Sequence, residues 1–183
     1  MDVIRLAIPD VFLVKPLRRG DDRGFFIETY KAAALAELGV AHPFVQDNMS
    51  LSRAVGTFRG LHFQSPPHAQ AKLVSVLQGK IYDVAVDARK GSKTFGQHVG
   101  AELDAVEGWQ IYVPAGFLHG FVTREPDTIV QYKVSDVYAP DCDGGVLWND
   151  PDLAIDWGIS ADQAQLSAKD AVAQRFANFK SPF

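Results

Sequence analysis

The chain has 183 residues, 47% apolar and 22% charged, with a formal net charge of −4. That length suits a single domain able to bury roughly 70% of its unfolded surface without disulfides or a structural metal. The lone cysteine, Cys142, excludes an internal disulfide framework and a Cys-rich zinc module. Mild acidity argues against a nucleic-acid-binding surface, and no apolar run approaches the ~20 residues of a membrane helix. The opening MDVIRLAIPD has no signal-peptide core. The expectation is a soluble, cytoplasmic protein with no nucleic-acid or membrane partner.

The first predicted element is a helix over KAAALAELG (31–39), rich in Ala and Leu and closed by Gly39 as a C′ residue. β-rich runs follow: KLVSVLQG (72–79), KIYDVAVD (80–87), WQIYVP (109–114), FLHGFVT (117–123) and TIVQYKVSDVY (128–138). They are rich in Val, Ile, Tyr and Phe, and Gly, Pro or Asp bounds most of them. The tail from Ser167 opens like a capping box, with Asp170 three residues on, and predicts helical structure at the end. Strand signals this frequent predict a β-sandwich or small barrel.

Two spacings carry chemistry. Gly108, five residues, Pro114-Ala115-Gly116, two residues and His119 resemble the second cupin motif: strand, Pro-Gly turn, then a strand presenting a histidine into a barrel. Gly56, five residues, His62, one residue and Gln64 resemble the first, with Lys72, six residues and Gly79 further on. Metal-binding cupins have His and Glu where this chain has Gln64 and Lys72. An amide is a poor transition-metal ligand and an ammonium repels the ion, so the barrel keeps His62 and His119 without a metal. A lysine pointing into a barrel is costly unless it meets an anion, which suggests a substrate that becomes negative during reaction. Taken singly, each of these residues is also compatible with an ordinary hydrogen-bonded or solvated role.

The blocks DRGFFIE (22–28), QDNMSLS (46–52), RGLHFQSPP (59–67), QAKLVSVLQGKIYDVAVDARKGS (70–92), PAGFLHGF (114–121), QYKVSDVY (131–138), GGVLWNDP (144–151) and LSAKD (166–170) occur in this order. In them the chain resembles the dTDP-4-dehydrorhamnose 3,5-epimerase family over roughly residues 10–170. The resemblance implies a mainly β, cupin-type jelly-roll barrel with a short N-terminal helix and a C-terminal helical segment. It divides the single domain 1–183 into an arm with dimer-exchange strands (1–50), a core (51–140) and a C-terminal helical region (141–183). It implies a cofactor-independent isomerase, a homodimer, acting on a dTDP-linked 4-keto-6-deoxyhexose in dTDP-L-rhamnose biosynthesis. By the same resemblance His62 is the base, Asp170 its partner, Tyr132 the opposing acid and Lys72 the cation at the enolate oxygen. Arg23 and Arg59 match phosphate-binding positions, with Arg23 and Glu28 coming largely from the neighbouring subunit. Gln46, Asp47, Asn48, His119, Tyr138, Asp143 and Lys169 fall in the substrate-binding set.

Departures are specific. Arg19 stands where the family usually has Phe, Asp143 where Glu is common, and Leu118 where Ala is common, beside His119. Strict alternation from Phe58 to Gln64 would put Arg59 and His62 on opposite faces; either a bulge at Gly60 or a reach of Arg59 around the barrel rim would reconcile them. The competing readings are a monofunctional 3- or 5-epimerase, a non-catalytic sugar-nucleotide-binding cupin, and a metal-dependent cupin, the last opposed by Gln64 and Lys72.

Overall fold

The computed structural model describes residues 1–183. The strands, in chain order, are β1 (Asp2–Arg5), β2 (Phe12–Lys15), β3 (Arg18–Asp21), β4 (Gly24–Ile27), β5 (Gln46–Ser52), β6 (Phe58–Gln64) and β7 (Lys72–Gln78). They continue as β8 (Lys80–Asp87), β9 (His98–Asp104), β10 (Gln110–Val113), β11 (Phe117–Thr123), β12 (Thr128–Val134) and β13 (Asp143–Gly145). The helices α1 (Ala32–Ala36) and α2 (Ala168–Ala171) are short. No helix is long and apolar enough to cross a membrane.

Two antiparallel sheets form the jelly-roll barrel. One runs β1-β2-β10-β7-β12-β5 and the other β13-β6-β11-β8-β9, while β3 and β4 make a separate hairpin. Strand alternation sorts side chains into three cores. Between the sheets lie 14 buried residues, among them Val74, Val76, Ile81, Ala85, Phe121 and Val130. On the outer face of the second sheet, 12 more pack against the C-terminal segment, including Phe58, Leu61, Leu118, Trp148 and Trp157. A third group, with Phe12, Leu35, Leu73 and Tyr112, seats α1 on the outer face of the first sheet. Strand β11 is buried along its whole length because both its faces are covered. That is why its sequence reads as a near-continuous apolar run. Leu118 therefore points into the outer core rather than into the wall beside His119.

The predicted helix over 31–39 contracts to Ala32–Ala36, and the turn closes at Gly39, whose φ of +96° suits glycine. The C-terminal helical structure is confined to α2 and short 3-10 turns, such as Ala161–Gln163 and Phe176–Asn178. The rest of that segment covers the outer core with aromatic side chains, Phe63 meeting both Phe179 and Phe183 edge-on. Strand β9 gave little sequence signal because Gly100 and Glu102 break its apolar pattern.

The barrel also resolves the Arg59 parity problem. His62 pairs with His119, but Arg59 pairs with Phe121, so β6 uses three steps where β11 uses two. The extra residue is a bulge, and it returns Arg59 and His62 to the same inward face. Gly60 makes it possible: its φ is +122°, and a Cβ there would lie 2.6 Å from both Gly120 Cα and His119 O.

Candidate active site

One cavity of about 290 Å³ opens between the sheets, lined by Gln46, Asn48, His62, Phe63, Gln64, Gln70, Lys72, Tyr132, Tyr138 and Asp143. A larger groove of about 430 Å³ lies on the outer face of the first sheet, between the β3–β4 hairpin and α1. Arg19, Phe26, Glu28 and Tyr30 line part of it. The groups able to move protons gather in the smaller cavity.

On the second sheet, β6 presents His62, whose Nε2 donates to Asp170 Oδ1 at 2.6 Å across 108 residues of sequence. The carboxylate can only accept, so Nδ1 is the ring nitrogen left to take a proton. Asp170 takes part in only half of the capping box expected at the start of α2. Its backbone N–H donates to the Ser167 side chain at the start of α2, while its carboxylate, 6% exposed, turns to His62. Burial opposes the charge on Asp170. Hydrogen bonds from His62, Ser167 and the Gly60 backbone outweigh that opposition and hold its pKa below the ordinary carboxylate value.

Beside His62, His119 donates from Nε2 to both oxygens of Asp83, at 2.9 and 3.0 Å. Burial pulls the pKa of His119 down despite Asp83, so its ring is neutral near pH 7. Asp83 is fully buried and was missed by the sequence reading. Its one signal was a carboxylate in the middle of the apolar run KIYDVAVD.

The first sheet supplies the facing groups. Lys72 opens β7 opposite Val134 of β12. Desolvation pulls its pKa down from 10.5 to about 8, although Asp83 and Asp143 favour its charge. Tyr132, on β12, pairs with Asn48 of β5 and Val74 of β7. Burial pushes its phenol pKa up against the opposing pull of Arg59, so it is a protonated acid at neutral pH. Arg59 reaches β5, donating to Ser52 Oγ and Leu51 O, both at 3.2 Å.

At the cavity mouth, Gln46 donates to Asn48 Oδ1 at 2.8 Å and accepts from the Tyr138 backbone N–H at 3.1 Å. The Tyr138 hydroxyl donates to Asp143 Oδ2 at 3.2 Å, and Lys169 pairs with the same oxygen. Gln64 is committed elsewhere: it donates to His68 O and Val137 O and accepts from Ala139 N–H. The amide at the second cupin-ligand position thus staples the rim loops. Nowhere do three His, Cys, Asp or Glu side chains converge as ligands.

Three expected substrate contacts are not brought to this cavity by the chain itself. Asp47 points to the outer face of β5 and pairs with Lys133 Nζ at 2.8 Å. Alternation requires this, because Gln46 and Asn48 face inward. Arg23 is exposed at the hairpin tip, paired with Asp21 at 2.5 Å. Glu28 is exposed 4.0 Å from Lys31. The departure at Arg19 lies on the same hairpin, across from Phe26.

Inverting a carbon beside a ketone takes a base, an acid on the opposite face and a cation where the enolate oxygen forms. The two sheets set an imidazole on one wall and a phenol and an ammonium on the other wall of one cavity, an arrangement that suits a cupin-type epimerase. The comparisons narrow the class. The family profile described as dTDP-4-dehydrorhamnose 3,5-epimerase matches residues 5–178. The dTDP-4-dehydrorhamnose 3,5-epimerase of Pseudomonas aeruginosa is 49% identical over 180 residues, 97% of each chain. A dTDP-6-deoxy-D-glucose-3,5-epimerase from Legionella pneumophila, solved with dTDP-4-keto-L-rhamnose, superposes with a TM-score of 0.93 at 43% identity, covering 98% of this chain and 94% of that one. A 3'-monoepimerase from Streptomyces bikiniensis, solved with dTDP-quinovose, gives a TM-score of 0.85 at 32% identity over 94% and 86% of the two chains. The chain belongs to the dTDP-4-dehydrorhamnose 3,5-epimerase family and is a sugar-nucleotide isomerase.

Proposed function

We propose that this chain inverts C3 and C5 of dTDP-4-dehydro-6-deoxy-D-glucose to give dTDP-4-dehydro-L-rhamnose, in the cytoplasmic synthesis of dTDP-L-rhamnose. The observation that carries the reading is the placement of His62 and Tyr132 on opposite sheets of one cavity, with Lys72 beside them. His62 removes the proton from the carbon next to the 4-ketone, and Asp170 stabilises the imidazolium that results. The electron pair moves onto the ketone oxygen, where the Lys72 ammonium balances the enolate charge. Tyr132 delivers a proton to the opposite face and regains one from solvent, while the His62 imidazolium gives its proton up to solvent and becomes the base again. The cycle then repeats at the second carbon.

The nucleotide occupies the cavity mouth. Tyr138 offers a face for the base, Gln46 and Asn48 offer amides, and Arg59 and Lys169 face the diphosphate. His119 lies beside the sugar. The exposed hairpin with Arg23 and Glu28 completes this site on a second copy of the chain, so the working unit is a homodimer. Size-exclusion chromatography with light scattering tests that unit, and a monomer that retains full activity refutes it.

Proton NMR of the protein with dTDP-4-keto-6-deoxyglucose in heavy water tests the reaction. Deuterium at both C3 and C5 is expected, and His62→Ala abolishes both exchanges. Label at one carbon only makes the chain a monoepimerase, the reading favoured by its likeness to the S. bikiniensis enzyme. Tight binding without exchange leaves a sugar-nucleotide-binding barrel.

A further inference from the structure

Tyr138 is 56% exposed at the cavity mouth and belongs to no strand. It lies between the end of β12 at Val134 and the start of β13 at Asp143. A segment without a ladder partner must find other partners for its peptide groups or leave them to water. Two glutamine side chains supply them here. Gln64 donates from Nε2 to Val137 O at 3.1 Å and accepts at Oε1 from the Ala139 N–H at 2.9 Å, so one amide grips the chain on both sides of Tyr138. Between those contacts, the Tyr138 N–H donates to Gln46 Oε1 at 3.1 Å. The second hydrogen of Gln64 Nε2 goes to His68 O at 2.7 Å, which ties in the loop after β6. Gln64 is buried, at 5% exposure. Two carbonyls on one side and an N–H on the other fix the orientation of its amide, and an ionised carboxylate could not replace it, having no hydrogen to donate.

The two anchors come from opposite walls. Gln46 stands on β5 of the first sheet and Gln64 on β6 of the second. Gln64 also shares a face of β6 with His62, two residues earlier and about 7 Å away along the strand. The catalytic base and the clamp thus ride on one element. An aromatic ring on a wandering loop loses conformational entropy when it orders against a ligand, and a ring already held in place does not. We propose that Gln64 is a positioning residue: its amide holds Tyr138 at a set distance from His62, so that a nucleobase stacked on that ring brings the sugar to the imidazole. Gln64 acts through the Tyr138 backbone and touches no substrate in this role. The inference deepens the epimerase reading and rests on it for the nucleobase at Tyr138.

Calorimetric titration of the full chain with dTDP and with inorganic diphosphate tests the proposal, using Gln64→Met, which keeps the length and removes all three contacts. It is expected to weaken dTDP binding by roughly five- to fiftyfold, the scale of one stacked base, while diphosphate affinity stays within about twofold. In a Tyr138→Ala background the same substitution should weaken dTDP by about twofold or less, because the effect runs through the ring. In turnover of the dTDP-linked 4-keto-6-deoxyhexose, KM should rise while kcat stays within about threefold, since the nucleobase is held equally in ground and transition states. Unchanged dTDP affinity, an equal loss for diphosphate, an equal loss in the Tyr138→Ala background, or a lower kcat at unchanged KM overturns the proposal. Thermal unfolding identifies a misfolded variant. If Gln64→Met fails to fold, Gln64→Asn, uncharged and one methylene too short to span the three partners, is read by the same comparisons. If both fail, Tyr138→Ala decides: weaker dTDP binding supports the proposal, and affinity equal to the parent's leaves the clamp nothing to position and overturns it. A parent chain that binds no dTDP sinks the sugar-nucleotide reading itself, whereas dTDP binding that is indifferent to Gln64 sinks only the clamp.

Discussion

Replacing Lys72 by Met should stabilise the protein while disabling it. The ammonium sits among the walls of the cavity, and desolvation pulls its pKa from 10.5 to about 8. That gap corresponds to about 3 kcal/mol of unfavourable free energy in the native state at pH 7. Methionine has a similar length and carries no charge to desolvate. Lys72→Met should therefore gain up to about 3 kcal/mol at pH 7, raising Tm by roughly 5–10 °C for a chain of this size. The gain has a pH signature. Between pH 8 and 10.5 the native state binds fewer protons than the unfolded state, so parent stability rises with pH there and the advantage of the variant shrinks. Below pH 8 the advantage is at its full size. Urea unfolding of both proteins from pH 7 to 10 measures this. A Met variant less stable than its parent at pH 7, or an advantage that stays flat to pH 10, refutes the argument. The same substitution removes the cation from the enolate oxygen and should cost about 10²–10³ in kcat. In the parent, kcat/KM should fall on the alkaline side with an apparent pKa near 8, because this parameter reports the free enzyme.

Three further substitutions probe the rest of the site. Asp170→Asn keeps the shape but removes the charge 2.6 Å from His62, and steady-state assay should show a kcat about 10–100-fold lower; an unchanged kcat removes Asp170 from the mechanism. Tyr132→Phe should lower product formation much more than deuterium wash-in at the first carbon, and equal loss of both counts against its role as the acid. Gly60→Ala places a methyl group 2.6 Å from the β11 backbone at a φ of +122°. It should cost about 2–4 kcal/mol in urea unfolding, and a neutral result would show that the bulge can relax.

Much of this was legible along the chain because side-chain parity is local. Frequent Val, Ile, Tyr and Phe between turn residues implied strands. Gly60 marked one of two ways, a bulge or a reach around the rim, by which Arg59 and His62 could share a face, and the pairing register selects the bulge. Lys72 at a ligand position of an inward-facing strand implied a cavity built for negative charge. Parity also held information that the motif blocks obscured: Asp47 cannot share a face with Gln46 and Asn48, and Leu118 cannot share one with His119.

Pairings between distant segments were of another kind. Ser167 and Asp170 read locally as a helix start, and that reading is correct for the backbone. Only the packing of the C-terminal segment over the second sheet swings the Asp170 carboxylate onto His62. Asp83 is similar: its strand looks apolar, and the reason for a carboxylate there is a histidine 36 residues away on the adjacent strand. The sequence by itself determined the barrel's composition and the parity of each strand, because both follow from neighbouring residues. The tertiary structure alone decided which charges meet, because a buried carboxylate takes its partner from whichever strand the closed sheet lays beside it.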